Sequence, residues 1–142
     1  MEIEMKKEIR ETVKELLENC ADLNTVRIGR RHNYAAAQLN AATIFTDTEE
    51  TERISCAPVT LQNDVALVVR YFIKPTGYDL GEDTLDTIVA EADALILPAV
   101  ADIDGVFDIE IQSLEIDGDG EADADYLRAD RVYSVVYHTS EI

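Results

Sequence analysis

Nine consecutive residues, Val65–Ile73 (VALVVRYFI), are apolar at nearly every position. A strand sends alternate side chains to opposite faces, so such a run must be covered on both. Val, Tyr and Phe also favour extended backbone. The stretch reads as the central strand of a sheet, closed by Pro75 and Gly77. The rest of the chain must supply its neighbours and its cover.

Met5, Ile9, Val13, Leu16, Leu17 and Cys20 recur at the spacing of one helical face, with Lys and Glu opposite. Val26 and Ile28 then alternate with polar residues, which predicts a short strand. Gly29–Ala42 has weak periodicity and reads as a long loop leading into ATIF, a second strand. The polar run Thr46–Arg53 (TDTEETER) reads as a hairpin tip or mobile loop. A second helical stripe holds Leu85, Ile88, Val89, Ala92, Leu95 and Ile96. Asp83 is placed to cap its start, and Pro98 to stop it.

In GVFDIEIQSLEID, Phe107, Ile109 and Ile111 share one parity, and Leu114 and Ile116 take the other. A strand changes parity by inserting a residue, so a β-bulge is expected near Gln112 and Ser113. A last strand follows in RVYSVVYH. The order predicts one α+β domain over residues 1–142: a single mixed or antiparallel sheet of about five strands, with two main helices packed on one face.

The chain has 142 residues and is 46% hydrophobic, enough for a core without disulfide or metal. No apolar run approaches the roughly 20 residues that cross a membrane, so no membrane partner is expected. The stretch MEIEMKKEIRETVKELL is charged throughout and does not read as a signal peptide. Cys20 and Cys56 stand without a CxxC partner and read as buried structural thiols in a reducing cytoplasm.

The net charge is -18 and it is unevenly placed. Asp79–Asp130 holds 17 acids and one base, Arg128, whereas Leu23–Thr46 holds no acid but carries Arg27, Arg30 and Arg31. A chain without a basic surface is not built to bind nucleic acid. Unlike charge in two regions favours self-association through unlike surfaces, set against a plainly solvated acidic face.

Within EIDGDGEADADYL the acids fall on every second position. An EF-hand loop starting at Asp117 would need Gly at its sixth position and Glu at its twelfth; Ala122 and Arg128 stand there. Asp117, Asp119, Glu121, Asp123 and Asp125 are therefore weak cation candidates, with Mg²⁺ as a weak assembly-promoting ion rather than a cofactor. The stretch reads as a solvated hairpin tip open to a partner. Nothing matches GxSxG, HExxH, a P-loop or GxGxxG. His32 falls in a loop and His138 reads as a surface or edge histidine, so no enzyme and no cofactor are expected.

The layout resembles a known family. An N-terminal helix IRETVKELLEN leads through a short strand to ATIFTDTEETER. The strand VALVVRYFI with KP follows, then an acid-capped helix running into a Pro. A strand, an acidic turn and DRVYSVVYHTSEI close the chain. This is similar to the tail terminator of long-tailed bacteriophages, the lambda-type minor tail protein U family, over nearly the whole chain. The resemblance implies an α+β subunit forming a hexameric ring that caps the head-proximal end of the tail tube. Its partners would be its own copies, the tail tube protein and the head–tail connector. DNA would pass through without specific binding. The place would be the virion tail at the neck, assembled in the host cytoplasm.

Contact residues, taken from charge and loops rather than from the family, are Arg27, Arg30, Arg31, His32, Tyr34, Glu49, Glu50, Glu52 and Arg53. The alternatives are another neck or tail-completion protein of the same fold, or a small acidic cation-responsive binding module unrelated to virions.

Overall fold

The computed structural model describes residues 2–29, 39–56, 59–74, 81–117 and 127–141. Its elements follow as α1 (Glu2–Glu18), β1 (Thr25–Ile28), β2 (Ala41–Cys56), β3 (Val59–Ile73), α2 (Glu82–Ala101), β4 (Val106–Asp117) and β5 (Leu127–Glu141). The strands form one five-stranded sheet in the order β1-β2-β3-β5-β4. Only β1 and β2 are parallel; the other neighbours are antiparallel. The α+β class, the mixed sheet and the central place of VALVVRYFI are as expected.

Both helices pack on the same face. Ile9, Val13 and Leu17 of α1 and Leu85, Ile88, Ala92 and Ile96 of α2 meet Val65, Leu67, Val69, Tyr71 and Ile73 of β3 and Tyr133, Val135 and Tyr137 of β5. These strand residues alternate, as one face of a pleated sheet requires. On the opposite face Phe72 packs with Leu39 and Ala41, and Val68 and Phe45 are also buried.

Thr46–Arg53 is not a loop tip. It is the middle of β2, paired with β3 from Thr46↔Leu67 to Arg53↔Leu61 apart from register shifts. Its polar composition hid a strand because neither face is buried: Glu50–Arg53 are all exposed. Propensity and pattern both report burial, so an uncovered strand escapes them. The connection to β3 is correspondingly short.

Helix α2 begins two residues before the sequence suggested. Gly81, at φ +92°, is the N-cap and its carbonyl accepts Leu85 N–H at 2.9 Å. Asp83 instead lies in the first turn with Glu82, where negative charge complements the helix dipole. Pro98 does not end the helix, which continues to Ala101. Its ring removes one bond, to the carbonyl of Ala94, and Ala94 is exposed so that carbonyl can meet water. The extra turn buries Val100 completely.

The bulge in β4 falls at Gln112: Ile111 pairs with Tyr133 and Ser113 with Val132. A second irregularity lies between Val106 and Asp108. It separates Phe107 from Ile109: Ile109 is buried, whereas Phe107 is 70% exposed and stacks on His138 at 5.1 Å. His138 sits on β5, paired with Gln62 of β3 where β4 begins, and is half-buried.

Gly105, at φ +98°, turns the chain from α2 into β4, and a Cβ there would lie 2.6 Å from Met5 Cε. The methionine end can swing away; the left-handed backbone cannot. Gly105→Ala is expected to cost about 1–2 kcal/mol. Adding Met5→Ala should not recover it in denaturant titration, and full recovery would assign the cost to the clash instead.

Candidate functional site

The strands outrun the helices. At roughly 3.3 Å per residue, β2 and β3 span about 50 Å, whereas helices of 17 and 20 residues span about 25–30 Å. The covered core ends at a polar row. Asn63, 1% exposed, receives Thr51 Oγ1–H at 2.9 Å and donates to Thr139 Oγ1 at 3.0 Å. Beyond that row none of Glu52–Cys56 or Val59–Gln62 is buried. The ends of β2, β3 and β5 thus form a three-stranded arm with Ile54 47% exposed.

Glu49 clips the base of this arm to α1. Its carboxylate accepts Lys6 Nζ at 2.6 Å and Tyr137 O–H at 2.6 Å. One turn along, Arg10 Nη1 donates to Thr46 Oγ1 at 2.9 Å. Glu50 and Glu52 point to the face that no helix covers, and Arg53 to the other. Arg27 lies on the edge strand β1, opposite Thr43. Arg30, Arg31, His32 and Tyr34 lie outside the described residues. So do Asp119, Glu121, Asp123 and Asp125, together with the side chain of Asp117, the last residue of β4. Among the described residues no group of three or more His, Cys, Asp or Glu is arranged to hold a metal.

The uncovered face carries a groove of about 390 Å³ between the bulged stretches of β2 and β4. Ala66, Val68 and Val132 line it with Asp47, Gln112 and Glu115. Arg70 crosses it, donating to both oxygens of Asp130 at 2.8 and 3.1 Å with its guanidinium 4.9 Å from the Phe45 ring centre. Among the described residues the groove's lining holds no His, Cys or Lys. Its arginine is held by the Asp130 carboxylate.

A second ion pair fixes α2. Asp93 accepts both Nε and Nη2 of Arg131 and the hydroxyl of Tyr133. Both charged side chains are only 14–15% exposed. The Asp93 hydrogen bond raises the Arg131 pKa, and burial pushes Tyr133 and Tyr71 far above the ordinary phenol range. Burial also pushes Cys20 upward, which leaves it a poor nucleophile. Cys56, by contrast, is exposed rather than the buried thiol the sequence suggested. None of the internal clips was legible in the sequence, because the partners stand 36 to 88 positions apart.

Glu82–Asp117 contains eleven acids and no base, and of these Asp93 is neutralised by Arg131. The sheet order sets this flank, with β4, at the opposite edge from β1 and Arg27. The uneven charge along the chain has become uneven charge across the sheet.

These elements define an α+β fold: a mixed sheet with both helices on one face and a projecting arm. No family model and no curated protein matches the chain. Among solved structures, it is similar to a chain in the virion of the native gene transfer agent (GTA) particle. The TM-score is 0.51 at 14% identity, over 92% of this chain and 94% of that one. At that identity the likeness establishes a shared fold.

Asp93→Ala would leave Arg131 without its carboxylate beneath α2. It is expected to destabilise the protein by about 2–4 kcal/mol, whereas exposed Glu50→Gln changes stability by less than about 0.5 kcal/mol. Urea unfolding distinguishes the two, and equal small effects would show that the ion pair does not fix the helix.

Proposed function

We propose that this chain is a virion assembly protein of a phage-like particle and acts as its tail terminator. Copies form a ring on the head-proximal end of the tail tube, stop tube growth and present the surface for head joining. One observation carries this reading: the fold matches a chain of a virion over 92% of its length. The resemblance of the element order to tail terminators supplies the specific role.

The physical argument is one of unlike surfaces. A tube grows because each added ring offers the next one the same docking surface. A terminator must bind that surface once and offer a different one beyond it. This subunit has a helix-covered face and a face that no described helix covers, and a β1 edge unlike its acidic β4 edge. A repeating contact between unlike edges closes into a ring when the rotation permits. Such a role needs no bond chemistry, which is compatible with the groove's lining. DNA would slide past, since dense carboxylates repel phosphate.

Deleting the gene tests the reading. The expected particles carry tails of uncontrolled length without heads, and the purified protein binds tail tubes but not duplex DNA. Normal-length tails joined to full heads in its absence would refute the role. Normal-length tails without heads would instead favour another neck component.

A further inference from the structure

We propose that the groove beside the Arg70–Asp130 pair receives a lysine or arginine side chain presented by a different protein. The inference rests on the groove and not on the tail-terminator reading. Strand register sets it up. Arg70 on β3 lies opposite Asp130 on β5, and Asp130 in turn lies opposite Glu115 on β4. The row therefore reads cation, carboxylate, carboxylate. Arg70 gives two donors of its fork, Nε and Nη2, to the Asp130 carboxylate. Glu115 sets a like charge directly opposite Asp130, an arrangement that weakens a ladder.

The next row supplies the floor. Phe45, Val68 and Val132 lie side by side across β2, β3 and β5, and Ser113 of β4 completes the row. With Ala66 they give the groove a largely hydrocarbon base, and Asp47 and Glu115, both exposed, line it from β2 and β4. Its volume of about 390 Å³ falls at the small end of the roughly 300–1,000 Å³ range of ligand pockets. That suits one long side chain.

Chemistry selects the occupant. Three carboxylates line the groove against one arginine, and Arg128 adds a second cation at 3.9 Å from Asp130. Such a site attracts positive charge. A hydrated metal ion would gain nothing from the apolar floor, and among the described residues no group of three or more His, Cys, Asp or Glu is arranged to hold one. Lysine and arginine lay an aliphatic stem along apolar surface and keep the charged head at its rim, where Glu115 stands. A second copy would bring another net charge of -18 to this face, and like charge opposes it. A partner with a basic surface gains from the same field.

The probe is the blocked tripeptide acetyl-Gly-Arg-Gly-amide, titrated at low salt onto the isotope-labelled full chain and followed by amide NMR shifts. The shifts should saturate and centre on Ala66–Val68, Ser113–Glu115 and Asp130–Val132. Three changes should each weaken binding about fivefold or more: citrulline, the uncharged isostere, in place of the peptide's arginine; Glu115→Gln; and Ala66→Leu, which fills the floor without altering charge. Glu82→Gln with Asp86→Asn removes charge from α2 instead and should leave affinity nearly unchanged. Glu115→Gln should also raise the urea midpoint, because it relieves the opposition to Asp130. No saturation, equal binding of the citrulline peptide, equal loss from the α2 variant or no loss from Ala66→Leu would each overturn the proposal. So would a lowered midpoint for Glu115→Gln, which would place that carboxylate in an internal pair. Self-association in sedimentation that Glu115→Gln abolishes would assign the groove to a second copy and overturn it as well.

Discussion

Two helices of 17 and 20 residues cannot cover strands of 15 and 16. An α-helix advances about 1.5 Å per residue and a strand about 3.3 Å, so helices of this length protect little more than half of such a sheet. Much of the rest of the architecture follows from that shortfall. The apolar core fills the covered half and stops at Asn63, where side chains bond across the strands instead of burying hydrocarbon. Past that row the ladder continues on backbone hydrogen bonds, and the residues it carries stay in water. An arm of this kind gains little from burial within its own subunit, which is why its surfaces are the natural places to seek partners.

Electrostatics works within the same frame. The chain carries 30 acids against 12 bases, so its cations are valuable. Arg131 and Arg70 are committed to Asp93 and Asp130, and Lys6 to Glu49. These pairs hold α2, two neighbouring strands and the start of α1 in place. The α2–β4 flank holds eleven acids and no base within Glu82–Asp117, with Asp93 paired to Arg131 from outside that stretch. Self-repulsion keeps such a surface from associating with its like. A partner must then differ from it in charge, as a terminator's two sides must differ from each other.

Periodicity revealed the elements that bury a face. The α1 stripe through Ile9, Val13 and Leu17, the α2 stripe and the central strand were all readable, and the parity change in β4 located the bulge at Gln112. What escaped lacked a burial signal. Thr46–Arg53 is strand by its ladder alone, and the second bulge at Phe107 left no parity change to read. Pro98 overstated its power to end a helix because Val100 had a core to enter. Of the candidate contacts, Glu50, Glu52 and Arg53 proved exposed. Glu49 is instead engaged with Lys6 and Tyr137, a partnership that only the fold creates. The Arg70–Asp130 groove was illegible for the same reason, being assembled from β2, β3, β4 and β5.

The most direct measurement adds gold-labelled protein to growing tail tubes and follows label position and tube length by electron microscopy. A terminator gives one labelled cap at a single end and halts elongation there. Label along the tube walls or at both ends, or elongation continuing past the cap, would contradict the assignment.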